Sequence, residues 1–91
     1  MDVREQFGLT MQRLRRERSL SQEDLAGLTD IDRAYVGRLE RGEANPTLLM
    51  MVRIAMALGV LLVDLVQSVT LPASAEDAPS LPRRGRRSKQ P

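Results

Sequence analysis

Apolar residues in the first part of the chain recur at spacings of four and three. Phe7, Met11 and Leu14 fall on one side of a helical wheel, and Arg13, Arg15, Arg16 and Arg18 stand around them. This predicts a helix running to about Arg18. Ser19 and Leu20 leave it, and Ser21 is suited to cap the next, with Asp24 three residues on completing a variant capping box. A second helix then reaches about Leu28, with Leu25, Ala26 and Leu28 inward, and Thr29, Asp30 and Ile31 form a joint. Asp32 is the expected N-cap of a third helix that ends at Glu40 or Arg41. Its inward side carries Val36 and Leu39, and Gly42 stops it. After the loop "GEANP", Thr47 caps a fourth helix that Gly59 closes, and residues 60–66 make a short fifth.

The last two helices carry more apolar side chains than one core needs. Leu48, Met51, Ala55 and Leu58 share one side of the fourth helix and suffice for the core, while Leu49, Val52 and Met56 form a second stripe beside it. Leu61, Leu62, Val63 and Val66 repeat the surplus in the fifth. Contiguous exposed apolar surface marks an interface. Leu49, Val52, Met56, Leu61, Leu62 and Val66 are therefore the expected contacts of a homodimer, the alternative being a core that takes them all. Residues 48–66 do not read as a membrane span, because Arg53 and Asp64 lie inside the stretch and Gly59 interrupts it.

From Pro72 on, "PASAEDAPSLPRRGRRSKQP" holds four of the five prolines, lacks apolar periodicity and ends in basic residues. The chain thus divides into a compact all-α five-helix domain at 1–67 and a tail at 68–91 expected to be disordered.

Composition narrows the chemistry. One Phe, one Tyr and no Trp leave an aliphatic core, which helices fill readily. With no Cys there is no disulfide framework, no thiol catalysis and no usual zinc site; with no His the commonest general base and metal ligand is missing. No enzyme, no cofactor and no metal are expected. The pairs Asp30/Asp32 and Glu23/Asp24 read as turn and capping residues rather than acid–base couples.

Charge is unevenly placed. Residues 1–67 hold nine Arg against ten Asp and Glu, a balance of −1, and residues 68–91 hold four Arg and one Lys against two acids, a balance of +3. The overall +2 therefore belongs to the tail. The start, "MDVREQ", lacks the apolar run of a signal peptide, so a cytoplasmic protein is expected.

The stretch "LSQEDLAGLTDIDRAYVGRLERGEANPTLLMMVRIAMALGV" resembles the lambda-repressor-like, or XRE-type, helix-turn-helix family. The shared landmarks are Ser21-Gln22, Leu25-Ala26, Ile31, Val36, Leu39-Glu40-Arg41-Gly42, Asn45-Pro46, Ile54-Ala55 and Leu58-Gly59. They cover roughly residues 7–66. Ala26 is the small residue needed where the two helices meet. The family usually has Gly where this chain has Asp30, because the turn wants φ > 0; Asp tolerates that region at some cost.

The resemblance implies double-stranded DNA as the partner, with the third helix in the major groove and the second across the backbone. It places Gln22 near a phosphate, Arg33, Ala34, Gly37 and Arg38 toward the groove, and Arg41 and the loop through Asn45 near the backbone. Tyr35 packs its ring beside the joint and either offers its hydroxyl to a phosphate or serves packing alone. Arg41 also suits the C-terminal helix dipole. Arg15 and Glu40 match a structural pair tying the first helix to the third. Nothing in the pattern points to a small-molecule ligand or a membrane.

These features imply a transcription regulator that binds a palindromic operator as a homodimer. Restriction–modification controllers, phage-type repressors and antitoxins remain equal choices. The length leaves no room for a sensing domain, so regulation would come through concentration, a partner or proteolysis. A protein-interaction adaptor on the same fold is the alternative, and arginines on the groove face argue against it. The terminal "RRGRRSK" is either a sequence-independent phosphate binder or a solubilising end.

Overall fold

The helices begin and end where the chain supplies partners for their free backbone groups. The computed structural model describes residues 2–81. In it α1 spans Val3–Glu17, α2 Gln22–Thr29, α3 Arg33–Glu40, α4 Leu48–Leu58 and α5 Leu62–Val66, and a single 3-10 turn covers Ala75–Asp77. No strand occurs among the described residues. None of their helices is long and apolar enough to cross a membrane.

At α2 the expected capping box forms: the Asp24 N–H donates to Ser21 Oγ and the Ser21 N–H to Asp24 Oδ2, both at 2.9 Å. Those bonds hold the Asp24 carboxyl below its ordinary value. Thr47 accepts the Met50 N–H at 3.1 Å and so starts α4. A further box, Asp2 with Glu5, starts α1. Asp32 precedes α3 as expected, but its side chain makes no capping bond and stays in solvent. The fifth helix starts two residues later than its apolar run, since Asp64 takes the Leu61 N–H at 2.8 Å and holds Leu61 outside the helix.

Met11, Leu25, Val36, Leu39, Ile54, Leu58 and Leu65 are fully buried and come from all five helices. Burying such side chains contributes roughly 1.5–3 kcal/mol each and drives the collapse of helices too short to persist alone. Two expectations about this core fail. Leu28 is 61% exposed, because α2 turns Leu25, Ala26 and Thr29 inward and leaves Leu28 on the opposite side. Leu48 is 62% exposed in the first turn of α4, and Ile54, absent from the expected face, takes the buried place beside Ala55 and Leu58.

Two glycines set how closely the helices approach. A Cβ at Gly8 in α1 would stand 2.5 Å from the carbonyl oxygens of Leu39 and Glu40, so α1 crosses the end of α3 backbone to backbone. Gly42 ends α3 at φ 76°, and a Cβ there would also strike the Glu5 backbone.

The chain after α5 returns along α1. Ser68 and Thr10 share a hydroxyl hydrogen bond of 2.7 Å, the Thr70 N–H donates to Gln6 Oε1 at 2.7 Å, and Val69 packs on the core. These three residues belong to the stretch the sequence reading assigned to the tail. The basic run inside 82–91 lies outside the described residues.

Candidate nucleic-acid interface

The joint between α2 and α3 is a backbone turn of fixed hand. Asp30 caps α2 in the left-handed region at φ 59°, ψ 31°, where the resemblance called for a residue of positive φ. The N–H groups of Asp30 and Ile31 both turn back to the Ala26 carbonyl, and the buried Thr29 hydroxyl donates to Leu25 O at 2.7 Å. Ile31 then plugs the joint into the core. These bonds occupy the Ala26 and Leu25 carbonyls at the end of α2 and hold the joint.

The turn presents the outer side of α3. Val36 and Leu39 face inward with no exposure, and Arg33, Ala34 and Arg38 are exposed on the other side. Arg41 is exposed just past the last turn. Among the described residues Arg33 has no hydrogen-bond or ion-pair partner. Arg38 is held: its guanidinium carbon lies 5.5 Å from the Tyr35 ring centroid, and Nη2 donates to the Glu43 carbonyl at 3.1 Å. The half-buried Tyr35 ring also packs against the core. Arg41 Nη2 pairs with Glu43 Oε1 at 3.1 Å, which holds the Glu43 carboxyl below its ordinary value.

Gly37, expected toward the groove, is buried in the free protein. Arg41 and Gln22 side chains cover it: a Cβ at Gly37 would lie 3.1 Å from Arg41 Nη1 and 3.7 Å from Gln22 Oε1. Asn45 is exposed in the loop before α4 and lines a shallow depression with Val3 and Arg4 at the start of α1.

Behind this face sits a polar hub. Glu40 receives Arg15 Nε at 2.6 Å and Arg15 Nη2 at 3.0 Å, a two-point pair with side-chain exposure of 8% and 1%. Gln22 Nε2 donates to the same carboxylate at 3.0 Å and Gln12 Nε2 at 3.4 Å, while Arg15 Nη1 reaches Leu20 O at 2.8 Å. Burial pushes the Glu40 carboxyl up, but the bonds from Arg15, Gln22 and Gln12 and the Arg15 charge outweigh it, leaving it below the ordinary value. The Arg15–Glu40 pair was legible in advance. That Gln22 and Gln12 join it was not, since Gln22 reads as a DNA-contacting position and Gln12 as an ordinary surface one. Arg18 reads in the sequence as one charge among several; its guanidinium donates to the carbonyls of Leu58 and Leu14, tying the end of α1 to the end of α4.

Comparison with known proteins agrees with this architecture. The family described as helix-turn-helix matches residues 11–65. The uncharacterized HTH-type transcriptional regulator y4dJ of Sinorhizobium fredii is 42% identical over 66 residues, which cover 72% of this chain and 86% of that one. Control protein C.MunI of a Mycoplasma species is 35% identical over 69 residues, covering 75% of this chain and 93% of that one. Among solved structures, the restriction-modification controller protein C.AhdI from Aeromonas hydrophila superposes with a TM-score of 0.67 at 40% identity, covering 68% of this chain and 94% of that one.

Proposed function

The chain belongs to the helix-turn-helix family of DNA-binding transcriptional regulators, which are not enzymes, and from that premise we propose that it reads an operator through α3 in the major groove. One observation carries the proposal. The α2–α3 turn sets Val36 and Leu39 in the core and puts Arg33, Ala34 and Arg38 on the opposite face of the same short helix. Arginine reads guanine O6 and N7 with two bonds, each such contact being worth roughly 1–3 kcal/mol of discrimination, and Ala34 is small enough to meet a thymine methyl. Arg33 extends freely to do this, and Arg38 is already held in place by Tyr35 and Glu43. Gln22 and Arg41 flank the face at the positions of backbone contacts.

The regulator acts as a homodimer joined through α4 and α5 on a palindromic site. Leu49 and Met56 are each 76% exposed and Leu61 is 70% exposed, with Val52, Leu62 and Val66 beside them less so. So much uncovered apolar surface on two adjacent helices supports this reading. The likeness to the restriction-modification controller protein C.AhdI, beside that to control protein C.MunI, favours a restriction–modification controller over a phage-type repressor or an antitoxin.

Selection of bound duplexes from a random pool tests base reading. The selected site should show two half-sites about one helical turn apart, or a multiple of it. Arg33→Ala and Arg38→Ala should each relax preference at particular base pairs while the fold persists. Equal loss on selected and random DNA would exclude base reading by α3. Sedimentation at micromolar concentration tests the dimer, and a monomer there would refute it.

A further inference from the structure

Residue 43 holds two arginines of the exposed face in two different ways. Arg38 is bound to its backbone carbonyl, and Arg41 to its side-chain carboxylate. Arg41 lies folded back across Gly37, its Nη1 within 3.1 Å of where a Cβ would stand. Among the described residues Glu43 is the only carboxylate paired with an arginine of this face. Both partners are more than half exposed, at 58% and 55%, so the pair is solvated and weak.

We propose that the Glu43 carboxylate is a positioning residue that occupies the Arg41 guanidinium in the free protein and must release it to a phosphate oxygen when DNA binds. The inference rests on the reading of α3 as the DNA-facing helix. A phosphate backbone presents its charges closely spaced, and releases counterions when one is neutralised, so it displaces a lone solvated carboxylate. The displacement still counts against every DNA sequence alike. Glu43 thereby sets the non-specific, salt-dependent part of the affinity and leaves base preference to Arg33 and Arg38. It lowers affinity for operator and random DNA by the same factor and leaves discrimination unchanged.

Glu43→Gln tests this, because it removes the charge and keeps the carbonyl that holds Arg38. On a short random-sequence duplex the variant should bind several-fold tighter, up to roughly eightfold near 0.1 M salt, and its log–log salt slope should steepen by about 0.9. The sequence preference of a selected pool and the thermal midpoint should not move. A structural role for Glu43 would shift the midpoint and leave the salt slope alone. In an Arg41→Ala background the gain from Glu43→Gln should fall below half. An equal gain in both backgrounds would mean that the carboxylate merely repels DNA, and would overturn the proposal. So would an unchanged salt slope or an altered preference. If Arg41→Ala weakens binding while Glu43→Gln changes nothing, the proposal alone fails. If Arg41→Ala binds as well as the parent, the DNA-facing reading of this end of α3 falls, and the proposal with it.

Discussion

Adding one methyl group at Gly8 and at Gly27 should move stability in opposite directions. At Gly8 the new Cβ would stand 2.5 Å from the carbonyl oxygens of Leu39 and Glu40 and 2.8 Å from the Glu40 carbonyl carbon. Comfortable heavy-atom contact is about 3.5 Å or more, so α1 and the end of α3 would have to part by about 1 Å. The atoms in the way are backbone, and the Arg41 N–H bond to Gly37 O and the Gly42 N–H bond to Leu39 O pin them further. Overpacking of this kind costs about 3 kcal/mol at the upper end, and the better helix propensity of Ala returns about 1 kcal/mol. The net loss for Gly8→Ala is about 2 kcal/mol, before any weakening of the Arg15–Glu40 pair that bridges the same two helices. Nothing lies within 4 Å of a Cβ at Gly27, so Gly27→Ala keeps only the propensity gain of up to about 1 kcal/mol. For a domain of this size 1 kcal/mol moves the midpoint roughly 4–8 °C. Thermal unfolding by circular dichroism, at one fixed protein concentration so that self-association cancels, should show Gly8→Ala melting roughly 8–16 °C lower and Gly27→Ala a few degrees higher. A Gly8→Ala protein as stable as the parent would refute the close helix crossing.

Three further outcomes follow from the same geometry. The Glu40 carboxyl is held below its ordinary value, so the stability it contributes is complete above the unfolded value of about 4.3 and is lost as pH falls through the folded one. Denaturant midpoints of the parent should therefore drop more steeply below about pH 4 than those of Glu40→Gln, itself roughly 3 kcal/mol weaker for leaving Arg15 buried and unpaired; parallel curves would contradict this. Asp30→Gly should raise the midpoint by up to about 1 kcal/mol, since glycine adopts φ 59° without the Cβ strain, and a lower midpoint would show that Asp30 contributes more than its backbone. Deleting 82–91 should weaken binding to all DNA alike and flatten its salt dependence, and a changed sequence preference would show that the tail reads bases.

What the sequence disclosed and what it withheld divide along a physical line. Ser21 with Asp24 and Thr47 are local, each decided by a side chain and the backbone within four residues of it, the stop at Gly42 was signalled by the glycine itself, and the positive φ at residue 30 came from the family resemblance. All were legible. Leu28 and Leu48 went astray because apolar character alone does not say which side of a short helix wins the core. In α2 the inward side is fixed by Thr29, whose buried hydroxyl finds carbonyls inside its own helix and so behaves as an inward residue despite its polarity. Gly8 gave no signal, since the reason for it lies on the carbonyls of Leu39 and Glu40, more than thirty residues away. Residues 68–70 read as tail for want of periodicity, yet their contacts are single bonds to Gln6 and Thr10 and one apolar side chain, Val69, on the core, none of which needs it.

The same division explains how so short a helix as α3 holds one position. Eight residues form a helix far below the length of roughly 12–15 at which one becomes marginally stable alone in water. Its position is therefore borrowed. Val36 and Leu39 fix its inward side, Gly8 fixes its distance from α1, and the Asp30 turn fixes its angle to α2. Glu40, at its last position, is then bonded to Arg15 and Gln12 of α1 and Gln22 of α2 together, so rotation of α3 about its own axis would break bonds to two helices at once. Arg33 carries no such constraint and Arg38 only those from Tyr35 and Glu43, so base discrimination by α3, if it reads base edges as proposed, depends on this inner set to place the helix. Substitutions at Gly8 or Glu40, which face away from the exposed side of α3, should consequently blunt base preference in proportion to how far they let the helix turn.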